Sequence, residues 1–374
     1  VLRFIRFLGK SAMLSVNIFA AVCLAFAYLA VHIHPAQAPF LPFFGISYGV
    51  LLLVNISFIG FWLLAKKRLA LISAITILLG VNHLFAYFQP MPFSLGKAPE
   101  GKNIKVLSHN VRLFGWYNWR TNIEDRDQMF RRLELIDADV MCFQEFFHHS
   151  GPDKFETRET LKRVTGAPYL YEAYTAVVGK NQNYGIATLS KHPIIHSGRI
   201  DFAGERSNVC IYVDLDIEGD TVRVYNAHVA SIRFSDRNYA FIEEVMNQPR
   251  DGNADLSEGI NILIRLARAY RLRAEQTQRI VAHMAQSPYP VVFCGDMNDT
   301  PVSYSYGLLS ETLNDSFRKS GWGIGNTYIG MFPSFRIDYI FCDKRFESNS
   351  YTTHAEETSD HHAISARIFL NKKE

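Results

Sequence analysis

The stretch "YPVVFCGDMND", residues 289–299, runs apolar from Val291 to Cys294 and then turns abruptly polar. A run this continuous suits a strand covered on both faces, because a strand with one wet face alternates. It closes on Asp296 and Asn298, residue types that strand interiors exclude. The same construction recurs elsewhere. Asn110 closes "VLSHN", Gln144 and Glu145 close "DVMCFQE", and Asn226 and His228 close "RVYNAH". Asp338 lies in "RIDYIF", and Asp360 and His361 precede the last apolar run, "HAISARIFL". A single Asp or His at such a place is ordinarily a cap or turn residue. Repeated at six strand ends, carboxylates, amides and imidazoles converging on one edge would hold a hard cation and orient a water.

Working outward, "IKVLSHNV", "ADVMCFQE", "YGIATLS", "VCIYVDLDI", "TVRVYNAHV", "YPVVFCGD", "RIDYIFC" and "HAISARIFL" all read as strands. Two helical stretches stand among them, near Asp125–Ile136 and Gly259–Met284. In the second, Leu263, Leu266, Tyr270, Ala274, Thr277, Val281 and Met284 recur at spacings of three and four. Strands alternating with a few helices predict two packed sheets with helices outside.

The first hundred residues have a different texture. No charged residue occurs from Ser11 to Ala65 or from Leu69 to Gly96. Both runs exceed the ~20 apolar residues that cross a hydrocarbon core. "HIHPAQAP" (32–39) breaks the first run, so the expectation is three spans at about 13–31, 40–65 and 69–88 within a membrane region of residues 1–90. Buried helices of a large soluble protein usually carry a charged stripe, which these lack. A cleavable secretory signal is the weaker rival, since two further spans would keep the chain embedded. Arg3, Arg6 and Lys10 precede the first span and Lys66, Lys67 and Arg68 separate the second from the third, whereas "HIHPAQAP" has no Lys or Arg. By the positive-inside rule, the chain after residue 88 lies outside the cytoplasm of a multi-pass protein of the plasma (bacterial inner) membrane. "QPMPFSLGKAPEGKN" gives a linker at 91–102, and residues 103–374 form the catalytic domain.

Residues 100–374 carry 32 basic and 36 acidic side chains, a net charge of −4. That disfavours bulk electrostatic capture of nucleic acid. The cysteines, Cys23, Cys142, Cys210, Cys294 and Cys342, show neither paired spacing nor a metal pattern and read as small core residues.

Taken in order, "SHNV", "FQE", "YGIATLSKHPI", "NAHV", "GDMND", "RIDYIF" and "SDHHA" resemble the endonuclease/exonuclease/phosphatase superfamily over roughly residues 103–370. The resemblance implies a four-layer α/β/β/α sandwich of the DNase-like kind, here preceded by a bundle of three transmembrane helices. It implies a metal-dependent phosphate-ester hydrolase, with Glu145 as principal ligand of magnesium (manganese as substitute), Asn110 close by and Asp360 contributing. His361 would be the general base, oriented by Asp338. Asp296 and Asn298 would position the attacking water and a phosphate oxygen, and His228, helped by Asn226, would stabilise the transition state or protonate the leaving oxygen. These roles suit the chemistry, since an anionic ester needs a cation on its oxygens, a base and a donor.

Abasic-site endonucleases of the superfamily carry an acid two positions after the first-motif Asn, where this chain has Arg112. The departure leans away from a second metal and from DNA repair, toward the sphingomyelinase and phosphatase side. The expected substrate is a phospholipid or small phosphate ester. An extracytoplasmic nuclease on DNA or RNA and a catalytically inactive binding module are the alternatives, and no protein partner can be inferred. In "LFGWYNWRTN" (113–122), Trp116, Tyr117 and Trp119 are read chiefly as packing residues; Arg233, Arg237, Tyr304, Tyr306 and Tyr328 are candidate cleft residues. An impermeant reagent applied to intact cells is expected to label a tag fused after Glu374; a tag reachable only after lysis would reverse the topology.

Overall fold

The computed structural model describes residues 2–91, 101–116, 123–151, 157–202, 204–232, 256–330, 335–355 and 357–370. The chain divides into two compact units that do not follow the sequence in one cut. The first comprises Val1–Val81, Ala230–Gln276 and Val302–Ser305; the second comprises Asn82–Val229, Thr277–Pro301 and Tyr306–Glu374.

The first unit is built on apolar helices: α1 (Leu2–Ala30), α2 (Leu41–Ile46), α3 (Tyr48–Ala65) and α4 (Ala70–Leu79). Gly9–Ala30 and Tyr48–Ala65 are long and apolar enough to cross a membrane. The third expected span is instead a pair, α4 and α5 (Val81–Tyr87), bent by 67° at Gly80. Tyr28 occupies the space a side chain at Gly80 would need, so the bend sits where only glycine fits. The second expected span is likewise shortened, because α2 separates from α3 at Ser47. Large apolar side chains such as Phe19, Val50, Leu53, Leu64, Leu78 and Leu79 point outward, as lipid-facing residues do.

Inside the bundle the polarity is inverted. Asn17 Nδ2 donates to Ser73 Oγ (2.7 Å), Ser73 Oγ donates to Asn55 Oδ1 (2.8 Å), and Trp62 Nε1 donates to Asn17 Oδ1 (2.9 Å). Asn55 Nδ2 also reaches the Ala20 carbonyl at 3.1 Å. Asn17, Asn55 and Ser73 are fully buried, so this network ties α1, α3 and α4 together where lipid would leave the groups unsatisfied.

The second unit holds two six-stranded sheets. The first, in the order β11-β12-β1-β2-β4-β3, contains β1 (Asn103–Asn110), β2 (Val140–His149), β3 (Tyr169–Val178), β4 (Gln182–Ser190), β11 (Glu347–His354) and β12 (Ala363–Phe369). The second, in the order β5-β6-β7-β8-β10-β9, contains β5 (Ile194–Phe202), β6 (Glu205–Ile217), β7 (Asp220–His228), β8 (Val291–Asp296), β9 (Leu313–Asp315) and β10 (Asp338–Asp343). Between them lies an apolar layer that includes Val106, Val140, Cys142, Val224, Val292, Cys294, Ile340 and Ile364. The outer face of the first sheet is covered by α6 (Ile123–Ile136) and α7 (Thr157–Thr165), through Met129, Phe130, Leu133 and Leu161. The outer face of the second is covered by the end of α8 (Leu256–Met284) and by α9 (Tyr304–Thr312), through Ile280, Met284, Tyr306 and Leu309. A short α10 (Ser316–Ser320) follows β9. The four layers are those expected from the sequence, and both helical stretches read there are present.

All five cysteines are free and buried, four of them on strands. Asn55→Leu, which removes the centre of the bundle's polar network, should cost about 1 kcal/mol. A lower melting temperature of the detergent-solubilised chain is the expected readout, and an unchanged one would show that the network contributes nothing.

Candidate active site

Strand register assembles the site. β1 runs parallel to β2, β7 runs parallel to β8, and β12 and β10 run antiparallel to them. The ends of β1, β2, β7 and β8 therefore share one rim with the beginnings of β10 and β12. His228 pairs with Asp296 and Asp296 with Asp338, while Asn110 pairs with Gln144. Side chains alternate with a period of two, so on each strand the inter-sheet face changes from apolar to polar as it nears this rim. On β1 it reads Ile104, Val106, Ser108, Asn110; on β7, Val222, Val224, Asn226, His228; on β8, Val292, Cys294, Asp296. The site is the polar end of the layer whose other end is the core.

Glu145 would face the other way by alternation. A bulge between Phe143 and Phe146 in the β2–β4 pairing, with Glu145 at φ 49°, interrupts that alternation. Glu145 Oε1 accepts from Asn110 Nδ2 at 3.3 Å and lies 4.0 Å from His228 Nε2. Asn298 is also left-handed, at φ 50°, and its backbone N–H donates to Asp296 Oδ1 at 2.8 Å. Non-glycine residues held there store strain of a kind that clusters at functional sites.

Asp296 is the hub. Its Oδ2 accepts from Asn110 Nδ2 at 2.9 Å and lies 3.8 Å from both His228 Nε2 and His361 Nε2. On its far side, His361 meets Asp338 through Nδ1 and Oδ2 at 2.9 Å. When the imidazole is neutral and Nδ1–H donates to Asp338, Nε2 is left as the acceptor facing Asp296. Burial opposes charge on His361, but the carboxylates of Asp338 and Asp296 outweigh it and raise the imidazole to about 10. Burial also raises the Asp338 carboxyl, with His361 pulling against it. His228 Nε2 is buried without a hydrogen-bond partner, an orphan donor or acceptor at the middle of the cluster.

Asn226 is placed differently from the rest. It accepts from Gln144 Nε2 at 2.7 Å and donates to the Ala187 carbonyl at 2.9 Å, so it bridges the two sheets beneath the rim. Asp360 lies 3.8 Å from the Arg112 guanidinium, within ion-pair reach of a cation. Arg112, Leu113 and Phe114 have φ of 42°, 56° and 55°, a left-handed turn directly after Asn110. Trp116 stacks on Phe147 at 4.5 Å, as a packing residue does; Tyr117 and Trp119 lie outside the described residues, as do Arg233 and Arg237. Tyr328 stands edge-on to His361 at 5.3 Å, whereas Tyr306 is a core residue bonded to Asp315.

Several supporting groups escaped the sequence reading. Ser359 Oγ donates to the Asn110 carbonyl (2.8 Å) and accepts from the His361 N–H (3.2 Å), stapling the "SDHHA" turn to β1. Thr327 Oγ1 accepts from the Asp338 N–H at 3.1 Å, and His109 Nε2 lies 3.3 Å from the His361 carbonyl. Ser359 and His109 sat inside the quoted motifs "SDHHA" and "SHNV"; nothing local marked Thr327.

Among the described residues, the tightest set of possible metal-binding atoms is Asp296, Asp338 and His361. Asp338 Oδ2 is bonded to His361 Nδ1, and the Asp296 oxygens to Asn110 and Asn298, whereas His361 Nε2 stands 3.8 Å from Asp296 and Asp338 Oδ1 is buried without a partner. Glu145 is different: its carboxylate is partly exposed at the rim and offers hard oxygens, the donors a divalent ion of the magnesium type requires. Asn110 as placed donates to both carboxylates and turns its Oδ1 to the Arg112 N–H (3.1 Å).

The sequence matches the Endonuclease/Exonuclease/phosphatase family over residues 107–361. The chain belongs to this family. Family enzymes are metal-dependent hydrolases of phosphate ester bonds, and this chain is one by class. A domain of unknown function (DUF8431) matches residues 10–87, so the apolar region is a recurrent unit of its own. No curated protein matched the sequence. Solved structures share the fold at low identity. An endonuclease/exonuclease/phosphatase from Beutenbergia cavernae is 17% identical over 72% of each chain, with TM-score 0.51. Humanized D. rerio TDP2 is 15% identical over 71% of this chain and 98% of its own, with TM-score 0.51. The human Nocturnin catalytic domain with bound sulfate anion is 15% identical over 75% of this chain and 99% of its own, with TM-score 0.51.

A raised pKa keeps His361 protonated, and so unable to accept a proton, until the pH climbs toward that value. Asp338→Asn removes the first of the charges that raise it. The acid limb of the pH–rate profile should move to lower pH while the maximal rate falls; a limb that stays in place would show that Asp338 does not set the imidazole's charge.

Proposed function

We propose that this chain is a membrane-anchored, magnesium-dependent phosphoesterase whose catalytic domain faces away from the cytoplasm and whose substrate is a phospholipid-type or small phosphate ester. The observation that carries the reading is the buried Asp338–His361 pair, 2.9 Å apart, with Asp296 Oδ2 3.8 Å from both His361 Nε2 and the orphan His228 Nε2.

His361 Nε2 takes a proton from the attacking water, and Asp338 holds the ring in the required tautomer and stabilises the imidazolium that forms. Asp296 and Asn298 position the water and a non-bridging oxygen. His228 presents Nε2 to the developing charge or hands a proton to the leaving oxygen. Glu145 would hold the divalent ion, which when bound would supply charge neutralisation on the phosphate, with manganese able to serve in place of magnesium. Asn110 keeps Glu145 and Asp296 at a fixed separation. With Asp360 beside Arg112, we assign it to setting that arginine at the rim, where its cation suits a substrate phosphate.

Within the first unit, the basic residues and the 31–40 connection lie apart along the helices. Helix α1 carries Arg3, Arg6 and Lys10 in its first third, and the 31–40 connection follows its other end. That connection and α2 pack against parts of the chain distant in sequence: His34 against Tyr304 (5.1 Å), Phe43 against Tyr270 (6.1 Å), and Gly45 against the Val302 carbonyl. Lys66, Lys67 and Arg68 follow α3 on the side away from that connection.

The full chain, purified in detergent and supplied with magnesium, should hydrolyse at least one of sphingomyelin, other phospholipids or inositol phosphates; hydrolysis of DNA alone would overturn the substrate class in favour of a nuclease. His361→Ala and Glu145→Ala should each lower that rate by ~10²–10⁴-fold. Chelation should abolish it and added magnesium or manganese restore it. Full activity in His361→Ala would remove the assigned base.

A further inference from the structure

Helix α8 is amphipathic in two different ways along its length. From Ala269 onward it turns Ala269, Tyr270, Arg273 and Ala274 inward. Arg273 Nε donates to the Ala230 carbonyl at 2.7 Å, and its guanidinium lies 4.9 Å from the centre of the Tyr270 ring. The preceding turns do the opposite. Ile260, Leu263 and Ile264 are 56%, 51% and 61% exposed and share one face through their i, i+3, i+4 spacing. Leu263 opens the periodic set that would otherwise mark a face turned inward, yet it is in solvent. Arg265, Arg268 and Arg271 are exposed on the same stretch, and no acidic residue occurs from Gly259 to Ala274; Arg271 meets Glu275, one turn on, in an exposed ion pair at 3.4 Å, a contact of the kind worth little in water.

An exposed apolar triplet followed along the helix by exposed arginines has the composition of a helix lying in a lipid interface. We propose that the Gly259–Arg271 segment of α8 rests on an anionic bilayer surface, with Ile260, Leu263 and Ile264 inserted among the headgroups and Arg268 and Arg271 against lipid phosphates. The segment belongs to the same compact unit as the apolar helices, and Tyr270, one turn further on, packs on Phe43 of α2. A second copy of the chain is the poorer occupant, because a symmetric contact would bring like charges of Arg268 and Arg271 together. The inference rests on the membrane-anchored reading above and adds to it a surface that brings the chain into direct contact with lipid headgroups.

The native cysteines are buried, so an environment-sensitive fluorophore can be attached to the full chain in nanodiscs at Leu263→Cys, with Leu53→Cys as membrane reference and Lys344→Cys as aqueous reference. Quenching by a headgroup-proximal spin-labelled lipid should be strong at position 263. It should be roughly twofold stronger in anionic than in zwitterionic discs, and Arg268→Gln/Arg271→Gln should erase that difference. A label at 263 that behaves like the one at 344 while the one at 53 is quenched would overturn this inference alone. Loss of quenching at 53 as well would overturn the membrane anchoring beneath it. Disulfide cross-linking of two copies through Leu263→Cys would assign the face to self-association and overturn the lipid contact.

Discussion

A carboxylate buried at the rim of an otherwise apolar layer holds the site together. Asp296 is almost wholly buried, and a charge so placed is costly unless its oxygens are bonded. One oxygen accepts the Asn298 N–H, which requires Asn298 to adopt its left-handed conformation; the other accepts Asn110 Nδ2 from the opposite sheet. The two sheets are joined at this point by Asn110 to Asp296 and, one layer deeper, by Gln144 to Asn226. Once Asp296 is fixed, both imidazoles have a common neighbour at 3.8 Å. Strain at Glu145 and Asn298 is the local cost of bringing carboxylates and imidazoles to one place.

The inner strands were legible in the sequence because they are covered on both faces and read as unbroken apolar runs. The four strands absent from that reading, β3, β5, β9 and β11, are the four edges of the two sheets. Edges are half wet and polar: "IIHSGRIDF" and "ESNSYTTH" have no clear periodicity, and β9 is three residues long. The strand-end residues of the site were legible for the complementary reason, since Asp and His stand out after Val and Phe. Glu145 needed the bulge to bring it in, and no alternation rule would have placed it beside Asn110. Asn226, next to the His228 motif in sequence, lies deeper on the same face and spans the sheets, a placement that sequence adjacency does not encode. The apolar helices were found by charge alone, but composition does not encode a bend, and Gly80 carried that information only through the space Tyr28 takes.

The two units use opposite solutions to the same problem. In the sandwich the polar groups are gathered at one rim, where strain and burial tune them. In the helical unit a small polar network sits at the centre, and the surface is apolar. Such a surface is stable in lipid and costly in water, which is the physical ground for the membrane anchoring proposed above.

The claim on which the account turns is that the cation sits against Glu145 while Asp296, Asp338 and His361 handle protons. Anomalous diffraction from crystals of the full chain soaked in manganese tests it directly. The account predicts a manganese peak bonded to the Glu145 carboxylate, with the His361–Asp338 hydrogen bond intact; a peak enclosed by Asp296, Asp338 and His361, with that hydrogen bond broken, would contradict it.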